Sequence, residues 1–146
     1  MLLIDGWGSM YYNTIMIKTI IASGPVIVEN GKVLLNRHGD DGFWKFCGGK
    51  VEDFTTNLVE NARREVKEEM GIDIEIIDPK PYIMHVTKKT EEGDIDVILV
   101  HFLAKRVGDI TPGDEITAWK WFDVSDLPAD VAPNIKPVLE HFKDRI

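Results

Sequence analysis

Gly48-Gly49-Lys50-Val51-Glu52, followed after a polar loop by Ala62-Arg63-Arg64-Glu65-Val66-Lys67-Glu68-Glu69-Met70-Gly71-Ile72, is the stretch on which the reading of this chain turns. It reads as a glycine turn, a short strand, a loop and one helix. Asn57 is the expected N-cap, and Glu60 three residues on completes a capping-box-like pair, so the helix is expected from about Leu58 to Met70. Gly71 is the natural stop signal. Val59, Ala62, Val66 and Met70 form an apolar stripe. Glu65, Glu68 and Glu69 fall beside it within an arc of roughly 100°.

Two readings of those carboxylates stay open on pattern alone. A solvated face laced with salt bridges accounts for Glu60, Arg64 and Glu68, which are spaced i, i+4, i+8. It accounts badly for Glu65 and Glu69, a like-charged i, i+4 pair with Glu68 beside both. They also lie in the last two turns, where the helix dipole disfavours anions. The other reading is a divalent-cation site. All-oxygen ligands at this density suit Mg²⁺, Mn²⁺ or Ca²⁺ rather than zinc.

Working outward, the chain alternates between β-like and helical patterns. Residues 1–15 lack clear periodicity and read as an extension, with residues 16–146 as one domain and Met16 as an alternative start. From Ile17 the residues are β-formers, and Asn30-Gly31 between two β-rich runs is a hairpin signal. Phe43 to Cys47 reads as a short strand entering the double glycine. Ile72 to Ile76, Tyr82 to Lys88, Ile95 to Ala104 and Ile116 to Val124 read as further strands, the third long and apolar enough to be central. A last amphipathic helix starts near Asn134 or Ile135. Strands interrupted by two helices predict an α/β (α+β) sandwich with helices packed on a mixed sheet.

Composition bounds the function. At 146 residues the chain is long enough for one well-buried core. A net charge of −8 argues against a general binder of nucleic-acid polymers. No run reaches the ~18–20 apolar residues of a membrane span. The start is too short and acidic for a signal peptide. The single cysteine, Cys47, permits no intramolecular disulfide, and a cytoplasmic location is expected.

The residues quoted at the outset closely resemble the box of the Nudix hydrolases: Gly, five residues, Glu, seven residues, then Arg-Glu-apolar-x-Glu-Glu-x-Gly-apolar. The preceding hairpin, Trp44 before the double glycine, and the Trp119-Lys120-Trp121-Phe122 strand with its later Asp126-Leu127-Pro128 turn extend the likeness from about Ile17 to the C-terminus. The chain departs from the pattern twice. Thr55 and Thr56 stand where the first box glutamate is counted, because the segment is one residue longer. Cys47 stands where many members have proline. That first glutamate mainly orients the box arginine, so Glu60 or Asp53 is the expected substitute.

The resemblance implies an Mg²⁺- or Mn²⁺-dependent pyrophosphohydrolase acting on a nucleoside diphosphate linked to another group. The lean is to a MutT-like nucleoside triphosphatase, including of oxidised nucleotides, that releases a monophosphate and pyrophosphate. Its metal ligands map to Glu65, Glu68, Glu69 and the Gly48 carbonyl. Arg64 would hold the helix carboxylates by charge-assisted hydrogen bonds. Glu115 is the candidate further carboxylate, as ligand or general base, with Asp114 and Glu92 as weaker substitutes. The general base stays open between Glu115 and a helix glutamate. Arg37 is a candidate phosphate contact and Trp44 a candidate stacking residue, each set against an ordinary strand-end or core role. Gly49 is a candidate substrate contact. Asn134 is either an N-cap or a contact to a base edge. No histidine is assigned to the site, and Cys47 is expected as a packed thiol. A small-molecule nucleotide is the expected partner, and a homodimer is a candidate assembly because members are often dimers. The alternative is a nucleotide-binding or regulatory module on the same scaffold with weak or lost catalysis.

Overall fold

The computed structural model describes residues 2–4, 10–12 and 18–146. Met16 lies outside the described residues, as does most of the segment read as an extension. Within that segment β1 (Leu2–Ile4) and β2 (Met10–Tyr12) pair antiparallel in a sheet of their own.

The main sheet is mixed and has seven strands: β3 (Lys18–Glu29), β4 (Lys32–His38), β5 (Gly49–Lys50), β6 (Asp73–Ile76), β7 (Tyr82–Thr90), β8 (Gly93–Val107) and β9 (Ile116–Asp123). The order is β6-β8-β3-β4-β9, with β5 added to β3 and β7 added to β8. β3 and β8 run parallel, and every other pair is antiparallel. The Asn30-Gly31 turn joins β3 to β4 with both φ angles positive, 51° and 74°, the geometry that matches strand twist.

Alternation along the strands buries both faces of the sheet. Val26, Val33, Leu35 and Leu103 point to the face covered by α2 (Ile135–His141), where Ile135, Val138, Leu139 and Phe142 meet them. Ile27, Leu34 and Ala104 point to the opposite face, against Val66 and Met70 of α1 (Leu58–Met70). A sheet buried on both faces explains why its central strands are apolar at consecutive positions. This is the expected sandwich.

The local signals around α1 hold. Asn57 caps it by accepting the Glu60 amide, and Gly71 ends it at φ 69°. Two expectations change. Phe43–Cys47 is not a strand, because only isolated bridges, Asn36 to Lys45 and Trp44 to Val131, form there. Asn134 is not a side-chain cap: its backbone is already helical and its side chain is engaged elsewhere. Among the described residues, no helix is long and apolar enough to cross a membrane.

Candidate active site

Helix α1 meets the double-glycine turn along one row of side chains, Asn61, Glu65 and Glu69, spaced one turn apart. Each touches a different part of the turn. Asn61 Nδ2 donates to the Gly49 carbonyl at 3.2 Å. The Glu65 carboxylate lies against the Gly49 Cα, where a Cβ would stand 2.5 Å from its Cδ. Glu69 Oε1 accepts the Gly48 amide at 2.7 Å. Gly48 itself has φ 143°, and a Cβ there would stand 2.7 Å from the Ser23 carbonyl oxygen, so that position requires glycine.

Within the expected arc the three carboxylates do not share one environment. Glu69 is 1% exposed, while the Glu68 side chain is 53% exposed. Glu69 Oε2 also accepts from Asn36 Nδ2 at 3.3 Å and pairs with His38 Nε2. Three donors to one buried carboxylate answer its desolvation cost. Cys47 packs into the same pocket of polar groups, taking a 3.3 Å hydrogen bond from Asn36 Nδ2. Burial, and secondarily the Glu69 charge, pushes its thiol well above the usual range, so it stays a protonated packing group. Asn36 Oδ1 is buried without a hydrogen-bond partner among the described residues.

Arg64 lies on the next row outward. Its Nη1 reaches Glu68 at 3.1 Å, and its Nη2 reaches Glu65 at 2.8 Å and Asn61 Oδ1 at 2.9 Å. Burial raises the Glu65 carboxyl above its ordinary range; Arg64 opposes this, and the charges of Glu69 and Glu68 add to it. Neither Glu60 nor Asp53 serves Arg64 by a hydrogen bond. Glu60 pairs with Arg63 at 3.4 Å, and Asp53 accepts from the Thr55 amide at 2.8 Å. Asn61 was the residue missed. Its signal was a polar side chain in register with Glu65 and Glu69, beside the apolar stripe.

The loop between β8 and β9 packs on the end of α1, with Thr111 and Gly113 amides donating to the Met70 and Glu69 carbonyls, each at 2.8 Å. It carries Glu115, whose carbonyl accepts from Gly39 at 3.3 Å. The Glu115 side chain is exposed and makes no hydrogen bond or ion pair among the described residues.

Arg37 faces away from the box. Strand parity sends Asn36 and His38 toward α1 and Arg37 toward the α2 layer, where it pairs with Asp130 and lies 4.4 Å from the Trp44 ring centroid. Trp44 stacks edge-on against Phe122 and packs on the α2-side core, the structural alternative for this residue. His38, assigned no role from the sequence, is instead the one beside Glu69.

A cavity of about 200 Å³ opens between the 43–49 segment, β3 and β8, lined among others by Phe43, Phe46, Gly48, Gly49, His101 and Asn134. His101 is buried, and desolvation lowers its pKa to about 4, so it is neutral near pH 7. Its Nδ1 lies 3.1 Å from the Tyr82 carbonyl, which can only accept. Nε2 is then the bare nitrogen, and it accepts from Asn134 Nδ2 at 2.9 Å. The tautomer of one residue thus sets the amide orientation of the other, leaving Asn134 Oδ1 as its remaining acceptor.

Among the described residues, no three His, Cys, Asp or Glu side chains converge in a ready metal cage. The donor types still fit a hard cation in part. Glu65 and Glu68 share Arg64 across one face, and Glu65 abuts the Gly49 Cα, one peptide from the Gly48 carbonyl. Glu69, with both oxygens engaged by the protein, fixes the turn in this arrangement.

A NUDIX domain model matches residues 19–142. The chain is 31% identical over 118 residues to a MutT-like protein of Streptomyces ambofaciens, covering 77% of this chain and 71% of that one. Among solved structures it resembles a MutT NUDIX hydrolase of Burkholderia pseudomallei, with a TM-score of 0.68 and 27% identity over 84% of this chain and 97% of that one. It also resembles an ADP-ribose pyrophosphatase of Streptococcus suis, with a TM-score of 0.55 and 26% identity over 75% and 77% of the two chains.

Proposed function

The chain belongs to the NUDIX family of hydrolases, and on that footing we propose that it cleaves a phosphoanhydride bond in a nucleoside diphosphate linked to another group. A nucleoside triphosphate, including an oxidised one, cut to monophosphate and pyrophosphate, is the preferred form. The observation that carries this reading is that the cavity and the carboxylate row meet at Gly48-Gly49. A base seated by Phe43 and Asn134 would lead its phosphates over that turn toward Glu65 and Glu68.

The carboxylates alone would repel a diphosphate. Mg²⁺ or Mn²⁺ held by Glu65, Glu68 and the Gly48 carbonyl, with Glu115 as a further oxygen donor, would supply charge neutralisation and polarise the phosphoryl oxygens. Arg64 keeps Glu65 and Glu68 at fixed positions, and Glu69 keeps the turn closed against the helix. Glu115 or a carboxylate of α1 accepts the proton of the attacking water. Asn134 Oδ1, oriented through His101, offers an acceptor to a donor on the base edge. The single cysteine, free and buried, and the net charge of −8 support action on small nucleotides in the cytoplasm.

The test is a panel of nucleoside triphosphates, oxidised triphosphates, sugar nucleotides and dinucleoside polyphosphates hydrolysed in ¹⁸O-labelled water. Label in one phosphorus of a preferred triphosphate, with pyrophosphate released, supports the reading; label only in a sugar-nucleotide or dinucleotide product moves the substrate class. A second reading, a nucleotide-binding module, draws on the closed hydrogen-bond set of Glu69. It requires tight nucleotide binding by calorimetry with no labelled product.

A further inference from the structure

The box pattern assigns the orientation of its arginine to a glutamate that this chain lacks. The acids nearest in sequence are engaged elsewhere: Asp53 holds the Thr55 amide and hydroxyl at 2.8 and 2.5 Å, and Glu60 faces Arg63. Arg64 Nη2 donates instead to Asn61 Oδ1 at 2.9 Å.

Asn61 is 3% exposed, and its orientation is forced. Its Nδ2 has two neighbours, Ser23 Oγ at 2.8 Å and the Gly49 carbonyl at 3.2 Å. The carbonyl can only accept. Ser23 Oγ spends its proton on the Leu58 carbonyl at 2.8 Å, so toward Asn61 it also accepts. The amide nitrogen must face both, and the oxygen must face Arg64. One side chain therefore ties β3, the glycine turn and the box arginine together.

We propose that Asn61 is the positioning residue that replaces the missing box glutamate, holding Arg64, and through it Glu65 and Glu68, in register with the Gly48-Gly49 turn. It does so as a neutral acceptor. The guanidinium charge is then left to Glu65 and Glu68, which it reaches at 2.8 and 3.1 Å. The catalytic consequence rests on the hydrolase reading above; the structural consequence does not.

Two variants and two readouts separate these. Asn61→Ala removes the acceptor and both donors. Asn61→Asp keeps an acceptor for Arg64 and exchanges the donors for a second carboxylate oxygen, which can accept from the Ser23 hydroxyl but faces the Gly49 carbonyl. Guanidinium ¹⁵N–¹H NMR, assigned with Arg64→Lys, reads the order of Arg64 directly, and steady-state kinetics read kcat and KM. In Asn61→Ala the restricted Arg64 signals are expected to average, with kcat falling about 10- to 100-fold and KM shifting less than about 2-fold. Asn61→Asp is expected to keep the restricted signals and to stay within about 3-fold of the wild-type kcat. Arg64 signals unchanged in a folded Asn61→Ala, or an aspartate variant that loses them as fully as the alanine one, would overturn the proposal. Should the alanine variant not fold, Asn61→Ser, whose hydroxyl is too short to span the distance to the guanidinium, takes its place with the same expected loss of restricted Arg64 signals. Should no nucleotide be turned over, the NMR arm still decides, so the two failures are distinguishable.

Discussion

The Glu65 carboxylate rests on the bare Cα of Gly49, so close that a Cβ at that position would stand 2.5 Å from Glu65 Cδ and from Oε2. The obstacle is the far end of a flexible side chain, so Gly49→Ala should swing the carboxylate aside rather than unfold the turn. The melting temperature should move by less than about 3 °C. The kcat for the preferred nucleotide should fall at least about 10-fold, because a small misplacement at the reacting centre is costly. A paired melt and kinetic assay checks both; an unchanged kcat would show that Glu65 does not act from this position.

Glu68 and Glu69 are neighbours in sequence and opposites in environment. Glu68→Gln changes an exposed carboxylate paired with Arg64, so stability should shift by no more than about 1 kcal/mol. Glu69→Gln replaces an acceptor for Gly48 N, Asn36 Nδ2 and His38 Nε2 by a group that must point a donor at donors. That should cost roughly 2–3 kcal/mol. Urea unfolding of the two variants should therefore separate cleanly, with the larger loss at Glu69.

Arg37 should matter to the fold and not to the substrate. It bonds Asp130 and covers Trp44 on the α2 side of the sheet. Arg37→Ala and Asp130→Ala should each destabilise by about 1 kcal/mol while KM stays within about 2-fold. A large rise in KM for Arg37→Ala alone would return it to the role of a phosphate contact.

His101 makes stability depend on pH. Its folded pKa is about 4, below the unfolded value near 6.5, so between those values only the unfolded chain binds the proton. Stability from this residue is complete above pH 6.5 and is lost as pH falls toward 4, by roughly 3 kcal/mol in all. Unfolding curves at pH 7 and pH 4.5, compared with His101→Gln, isolate it from the carboxylates: the variant should show the shallower dependence.

What could be read in the sequence was local. Asn57 and Gly71 bound α1 because each satisfies helix-end groups within a few residues, and Asn30-Gly31 marks its turn by backbone preference. What could not be read depended on partners far along the chain. Arg37 lies next to two residues that face α1, Asn36 and His38. Which of them turns inward is fixed by pairing with β9, about 80 residues later. Asn134 follows the composition of a cap, yet His101, 33 residues away, claims its amide. Phe43 to Cys47 has the residues of a strand and finds only single bridges. Glu69 reads as a metal-ligand candidate from its place in the motif, and its burial shows only once its three donors, Gly48, Asn36 and His38, are assembled.

Everything proposed for this site rests on hydrolysis of a nucleotide phosphoanhydride at the Glu65–Glu68 face. Its most direct test is phosphate and pyrophosphate release from the nucleotide panel, with Mg²⁺ or Mn²⁺ and with chelator, by the wild type and by Glu68→Gln of matched melting temperature. Metal-dependent turnover of at least one nucleotide is expected, abolished by chelator and reduced at least about 100-fold in Glu68→Gln. No metal-dependent turnover of any nucleotide by the folded wild-type protein, or turnover unchanged in Glu68→Gln, would contradict it.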